Sequence, residues 1–114
     1  MAAVTKNFQV RYGLDVGGQI TASGNLVIQE AGASAKVGAT RGAAYFYVDR
    51  VAGQTGAIFF QTSTSNRWAL LANNVEESGS DAGSNFSINR YKDDGSYIDA
   101  PLVVSRATGA STFS

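Results

Sequence analysis

An all-β chain of short antiparallel strands and hairpins, arranged as a meander or sandwich, is what the sequence predicts, and three observations carry that expectation. Apolar residues recur with period two over short runs, the spacing that places one set of side chains on one face of a strand. Turn residues interrupt these runs at short intervals, as they do between the strands of a sheet. Thirteen glycines stand against one proline in 114 residues. Positive-φ backbone is therefore available at many points, while ladder bonds are seldom interrupted.

In chain order, Leu14 and Val16 alternate with Asp15, and Ile20 lies between Gln19 and Thr21. Residues 25–29 put Leu26 and Ile28 on one side. Gly17-Gly18, Ser23-Gly24-Asn25 and Ala31-Gly32 supply turns, so residues 1–32 read as a Gly-rich β-repeat segment and 33–114 as a hairpin-rich domain. There Tyr45 and Tyr47 oppose Phe46 and Val48, and Ile58 and Phe60 oppose Ala57 and Phe59. In residues 67–73, Trp68, Leu70 and Ala72 oppose Ala69 and Leu71. A helix over 68–77 is the alternative, because Leu71 and Val75 lie four apart; the strand is preferred. After the turn-rich stretch Gly53-Gln54-Thr55-Gly56 and the second at 78–83, Phe86 and Ile88 oppose Ser87 and Asn89. Asp93-Asp94-Gly95 is the strongest hairpin signal, since Gly after Asp takes positive φ at little cost. Pro101 is expected to begin a strand over 101–105. A weak echo links Leu14-Asp15-Val16 with Leu102-Val103-Val104. The sequence ends at Thr112-Phe113-Ser114 inside an expected strand, as a piece of a longer chain would.

Strands apolar on both faces must be covered on both faces. Phe46, Val48, Ile58, Phe60, Leu70, Phe86, Ile88, Leu102 and Val104 are the expected packing or interface residues. A monomer of this length buries only about two thirds of the surface its unfolded chain exposes. Each ordered residue meanwhile costs roughly 1.5 kcal/mol of conformational entropy. With no cysteine for a disulfide, oligomerisation is the expected source of the missing stability.

Composition narrows function by exclusion. Nine Lys+Arg balance nine Asp+Glu, which argues against nucleic acid or an anionic membrane as a partner. The absence of histidine and cysteine removes imidazole acid–base chemistry, thiol nucleophiles and the usual zinc sites. No Ser-x-x-Lys spacing occurs. The carboxylate pairs Asp93/Asp94, Glu76/Glu77 and Asp81/Asp99 read as solvated turn residues rather than a glycosidase pair. The glycines fit no phosphate-binding spacing, and the acids fit no calcium loop. The expectation is no enzyme, no metal and no cofactor. The residues at 1–7 lack the charged start and apolar core of a signal peptide. No run approaches the roughly 20 apolar residues that cross a bilayer.

Trp68, Arg67, Tyr91 and Tyr97 are the candidate glycan contacts, because aromatic faces can stack on sugars while polar neighbours bond their hydroxyls. Packing is the favoured role for Trp68 and Phe46, as for most aromatics in strands.

From Ser80-Asp81-Ala82-Gly83-Ser84-Asn85-Phe86-Ser87-Ile88-Asn89-Arg90-Tyr91 through Asp94-Gly95-Ser96-Tyr97-Ile98-Asp99-Ala100-Pro101-Leu102, the chain resembles a module of tailed-bacteriophage tail fibre and tailspike proteins. In that module a "GSNF-I-RY-D-G" hairpin leads into "PL-I-R-TG", matched here by Pro101-Leu102-Val103-Val104-Ser105-Arg106-Ala107-Thr108-Gly109. The strand at Arg67-Trp68 and the Gly-rich repeat over 13–26 are similar to the same proteins, and the whole covers about two thirds of the chain. The resemblance implies a homotrimeric fibre segment of the virion, often upstream of an intramolecular chaperone domain. It implies no catalytic residues. The function expected is structural, spacing or presenting the host receptor-binding region. A carbohydrate-binding module that recognises bacterial surface polysaccharide is the alternative.

Overall fold

The computed structural model describes residues 12–29 and 31–114, which contain no helix. The chain divides into two compact units, Met1–Gly38 and Ala39–Ser114. Every described residue of the first unit is exposed, and bends or turns fall at Gly17-Gly18, Ser23-Gly24 and Ala31-Gly32. The turns stand where the sequence places them. The strands expected between them do not form, and neither does the one at 45–48. A strand exists only as part of a ladder, and none of the described ladders includes these alternating segments. Period two marks a segment able to pair; it does not provide the partner.

The second unit carries five strands: β1 Gly56–Thr62, β2 Ser65–Ala72, β3 Phe86–Tyr91, β4 Tyr97–Val104 and β5 Ser111–Phe113. They form one antiparallel sheet in sequence order, a meander. The stretch 68–72 is therefore strand and not helix. The register sets Leu70 opposite Ile58 and Ile88, and Leu71 opposite Ala57 and Ser87. Among the described residues only Ala69, Leu71 and Ser87 are buried. All three lie in the middle of the sheet.

The connections follow from local chemistry. Between β3 and β4, Lys92 N–H donates to Ser96 O (2.8 Å) and Gly95 N–H to Lys92 O (2.9 Å). Gly95 has φ +85°, the left-handed backbone that the Asp-Asp-Gly turn supplies. Asp94 accepts from both the backbone N–H (2.9 Å) and the hydroxyl (2.6 Å) of Ser96.

β1 and β2 meet through a two-residue turn, Ser63-Thr64, since Thr62 pairs with Ser65. Both turn residues have positive φ, 49° and 67°, although neither is the Asn, Asp or Gly that such a turn favours. A β-branched residue in left-handed backbone is strained by about 1–2 kcal/mol. The double variant Ser63→Asn, Thr64→Gly is accordingly expected to gain about 1 kcal/mol of stability. A lowered urea or thermal midpoint would show that the chain does not turn through these two residues.

Two irregularities matter for function. Arg67 is the extra residue where the register passes from Phe60/Trp68 to Gln61/Asn66, a bulge of the kind that re-aims side chains. A second lies in β4, where Ile88 pairs with Leu102 but Arg90 with Asp99. Pro101 falls at this bulge, within β4 rather than at its start. Its carbonyl accepts from Ser114 N–H at 3.1 Å, so this side of Pro101 faces β5. Its missing N–H then falls beyond Phe113, the last residue paired with β4, and no ladder bond is lost there.

Candidate functional site

Cross-strand partners share a face, so the register sorts the sheet into two unlike surfaces. One face collects Ile58, Phe60, Trp68, Leu70, Phe86, Ile88, Leu102, Val104 and Phe113. Seven of the nine expected packing residues thus come together on it. None of its side chains is buried: Phe60 remains 54% exposed and Phe113 77%. At one end Arg90 and Asp99 form a bidentate pair, both contacts 2.7 Å. At the other, Val48 and Arg50 join Ile58, Leu70 and Phe86 around a hollow of about 270 Å³. Phe46 is not among these residues. It is 70% exposed, in a stretch where Tyr45 and Tyr47 stack on each other with centroids 6.0 Å apart.

The opposite face carries Phe59, Ala69, Leu71, Ser87, Asn89, Tyr91, Tyr97 and Val103. Here a groove of about 560 Å³ runs over Leu71, Ser87 and Val103, flanked by aromatic rings and by Asn73 and Asn74. Phe59 and Tyr91 lie 6.1 Å apart with rings tilted by 57°. Tyr91 meets Tyr97 edge-to-face at 6.0 Å. Both separations fall within the range of interacting aromatic pairs.

The four candidate glycan contacts do not form one site. Trp68 pairs with Arg90, and Tyr91 is the next residue along β3, so their side chains leave opposite faces of the sheet. Arg67 is engaged elsewhere. Its Nη1 donates to the carbonyls of Ser65 (3.4 Å), Asn66 (3.1 Å) and Lys92 (3.3 Å). This ties the β1–β2 bulge to the β3–β4 hairpin. Tyr91 and Tyr97 do meet, and they are joined by Phe59, Asn73, Asn74 and Asn89, which sequence reasoning did not single out. Its only trace of them was alternation, with Phe59 opposite Ile58 and Asn89 opposite Ile88.

The segment between β2 and β3 supports this end of the groove. Asn73 Oδ1 accepts from the N–H groups of Val75 (3.3 Å) and Asn85 (3.1 Å). Asn73 N–H in turn donates to Asn85 O at 2.9 Å. Asn85 Oδ1 accepts Arg106 N–H at 3.0 Å, which ties the β2–β3 connection to the β4–β5 turn. Ser84 Oγ donates to Glu77 Oε1 at 2.9 Å and accepts from Arg50 Nη2. The Gly-Ser-Asn run ahead of Phe86 thus joins three separate segments of the unit.

Electrostatics at the sheet surface is local. The hydrogen bond from Arg90, and then its charge, holds the Asp99 carboxyl below the usual aspartate value. The Ser96 hydroxyl and N–H do the same for Asp94. A carboxyl lowered on folding contributes its stability fully above its unfolded pKa, and loses it as pH falls through the lower folded value. The thermal midpoint is therefore expected to be flat above about pH 5 and to fall below about pH 4. Asp94→Asn with Asp99→Asn should flatten that acid limb. An unchanged limb in the double variant would place the acid sensitivity elsewhere. Both groups are solvent-exposed, so the effect is small.

No protein-family model matches the chain, and no curated protein is significantly similar to it in sequence.

Proposed function

We propose that this chain is a structural segment of a phage tail fibre or related virion appendage, assembled as a homotrimer that spaces or presents the host receptor-binding region. The observation that carries the reading is the uncovered apolar face. Nine large apolar side chains from all five strands converge on one side of the sheet, and none of them is buried. A contiguous surface of that kind marks an interaction site.

Copies of the same chain are the occupant because such a surface, formed from an intrinsic face, suits a permanent assembly. The alternating segments at 14–28 and 45–48 gain in that assembly the cover they lack in one chain. The tail-fibre resemblance of residues 80–109 supplies the number three and the setting. On this reading the role is mechanical, and no residue is assigned a catalytic step.

Sedimentation or light scattering of the purified chain tests the proposal. The expected particle has three chain masses and persists at micromolar concentration. A stable particle of one chain mass would overturn it.

A further inference from the structure

We propose that the face opposite the apolar one binds a neutral oligosaccharide, in the groove between the Phe59–Tyr91–Tyr97 cluster and the amides of Asn73, Asn74 and Asn89. The inference goes beyond the fibre role and does not depend on it.

The groove has the build of a ligand site. Its volume, about 560 Å³, lies within the range of about 300–1,000 Å³ usual for such sites. One side is aromatic. The rings of Phe59, Tyr91 and Tyr97 hold one another at about 6 Å, and Phe59 and Tyr97 remain 46% and 55% exposed. The apolar C–H face of a pyranose can lie against such a surface. The other side is a set of oriented amides. Asn73 is held by two backbone N–H groups at its Oδ1, which turns its Nδ2 donors away from those bonds. The Ser87 hydroxyl donates to Asn89 Oδ1 at 2.9 Å and orients that amide in the same way. Ser87 itself is only 7% exposed, so this anchor is shielded from water. Among the described residues none bonds the Asn74 amide, which leaves both its donors and its acceptor for a ligand.

Charge selects the ligand class. No charged residue among those described lines the groove, so a phosphate, a uronate or a nucleic-acid backbone would find no counter-charge. An apolar protein surface laid over it would strand amide donors away from water, at a cost for each. A neutral sugar meets both halves of the site, with C–H groups for the rings and hydroxyls for the amides.

The test uses the full chain on a glycan array carrying neutral hexose and N-acetylhexosamine oligosaccharides beside uronate- and sialate-bearing ones. Binding of neutral members is expected, weakened about tenfold by Tyr97→Ala and severalfold by Asn74→Ala, with Lys92→Ala unchanged. Tyr97 lies at the exposed edge of the cluster and the Asn74 side chain bonds none of the described residues, so both variants should fold; circular dichroism checks that they do. Binding confined to acidic glycans, no binding at millimolar oligosaccharide, or undiminished binding by Tyr97→Ala would overturn the proposal. So would binding lost only in Trp68→Ala at unchanged particle mass. Mass measured on the same sample separates the two readings. A monomer that binds neutral glycan sinks the trimer alone, and a trimer that binds none sinks the groove alone.

Discussion

Gly83→Ala is expected to destabilise the sheet unit by about 3 kcal/mol, the largest effect of any glycine-to-alanine change here. Gly83 has φ +82°, and a Cβ added there would stand 2.7 Å from the carbonyl carbon of Glu76 and 2.9 Å from Val75 O, in direct collision with Glu76 O. All three are backbone atoms, so no side-chain rotation relieves the clash. The left-handed backbone costs a non-glycine residue about 1–2 kcal/mol, and forced overpacking adds typically 1–3 kcal/mol. The neighbouring bond from Ser84 N–H to Val75 O, 3.1 Å, would be the first to open, followed by the Asn85 contacts that join the β2–β3 connection to Arg106. Gly79→Ala is the internal control. Gly79 also has positive φ, +90°, but a Cβ there meets nothing within 4 Å. Only the backbone cost of about 1–2 kcal/mol should appear. Equal urea midpoints for the two variants would refute the crowding at Glu76.

Leu70→Asp is expected to abolish the proposed trimer. Leu70 lies at the centre of the apolar face between Ile58 and Ile88. A carboxylate buried there without a partner costs several kcal/mol in each subunit. The single chain should tolerate it better, since Leu70 is only half-buried before assembly. The expected product is a particle of one chain mass that retains β-sheet circular dichroism. Asn89→Asp, on the opposite face, is expected to leave the mass unchanged. A Leu70→Asp variant that sediments like the native chain would mean that this face is not the subunit contact.

The sheet was legible where local chemistry determines it. Asp93-Asp94-Gly95 carries its own turn, and the alternation at Phe86 and Ile88 identified β3 without any partner in view. The β1–β2 turn was not legible, because Ser63-Thr64 holds a positive-φ turn with residues that do not favour one. Pro101 was misplaced for a related reason. A proline within a strand is tolerated only where its missing N–H faces no paired neighbour, and that depends on where β5 ends. The segments at 14–28 and 45–48 show the reverse error. Their alternation is as clear as that of β3, but no ladder forms.

The candidate site divides in the same way. That aromatics and amides would lie on exposed strand surfaces could be read from residues alone. Which of them meet could not. One step of register separates Trp68 from Tyr91 by the thickness of the sheet, and brings Phe59, thirty-two positions away in sequence, against Tyr91. By itself the sequence determined the all-β class, most of the turns and the division of each strand into two alternating sets. Those properties depend on neighbours a few positions apart, through sterics and side-chain period. Only the tertiary structure decided which alternating sets share a face, and so produced one apolar surface and one aromatic–amide groove. Register is a property of bonds between distant strands, and a shift of a single residue would exchange the two faces.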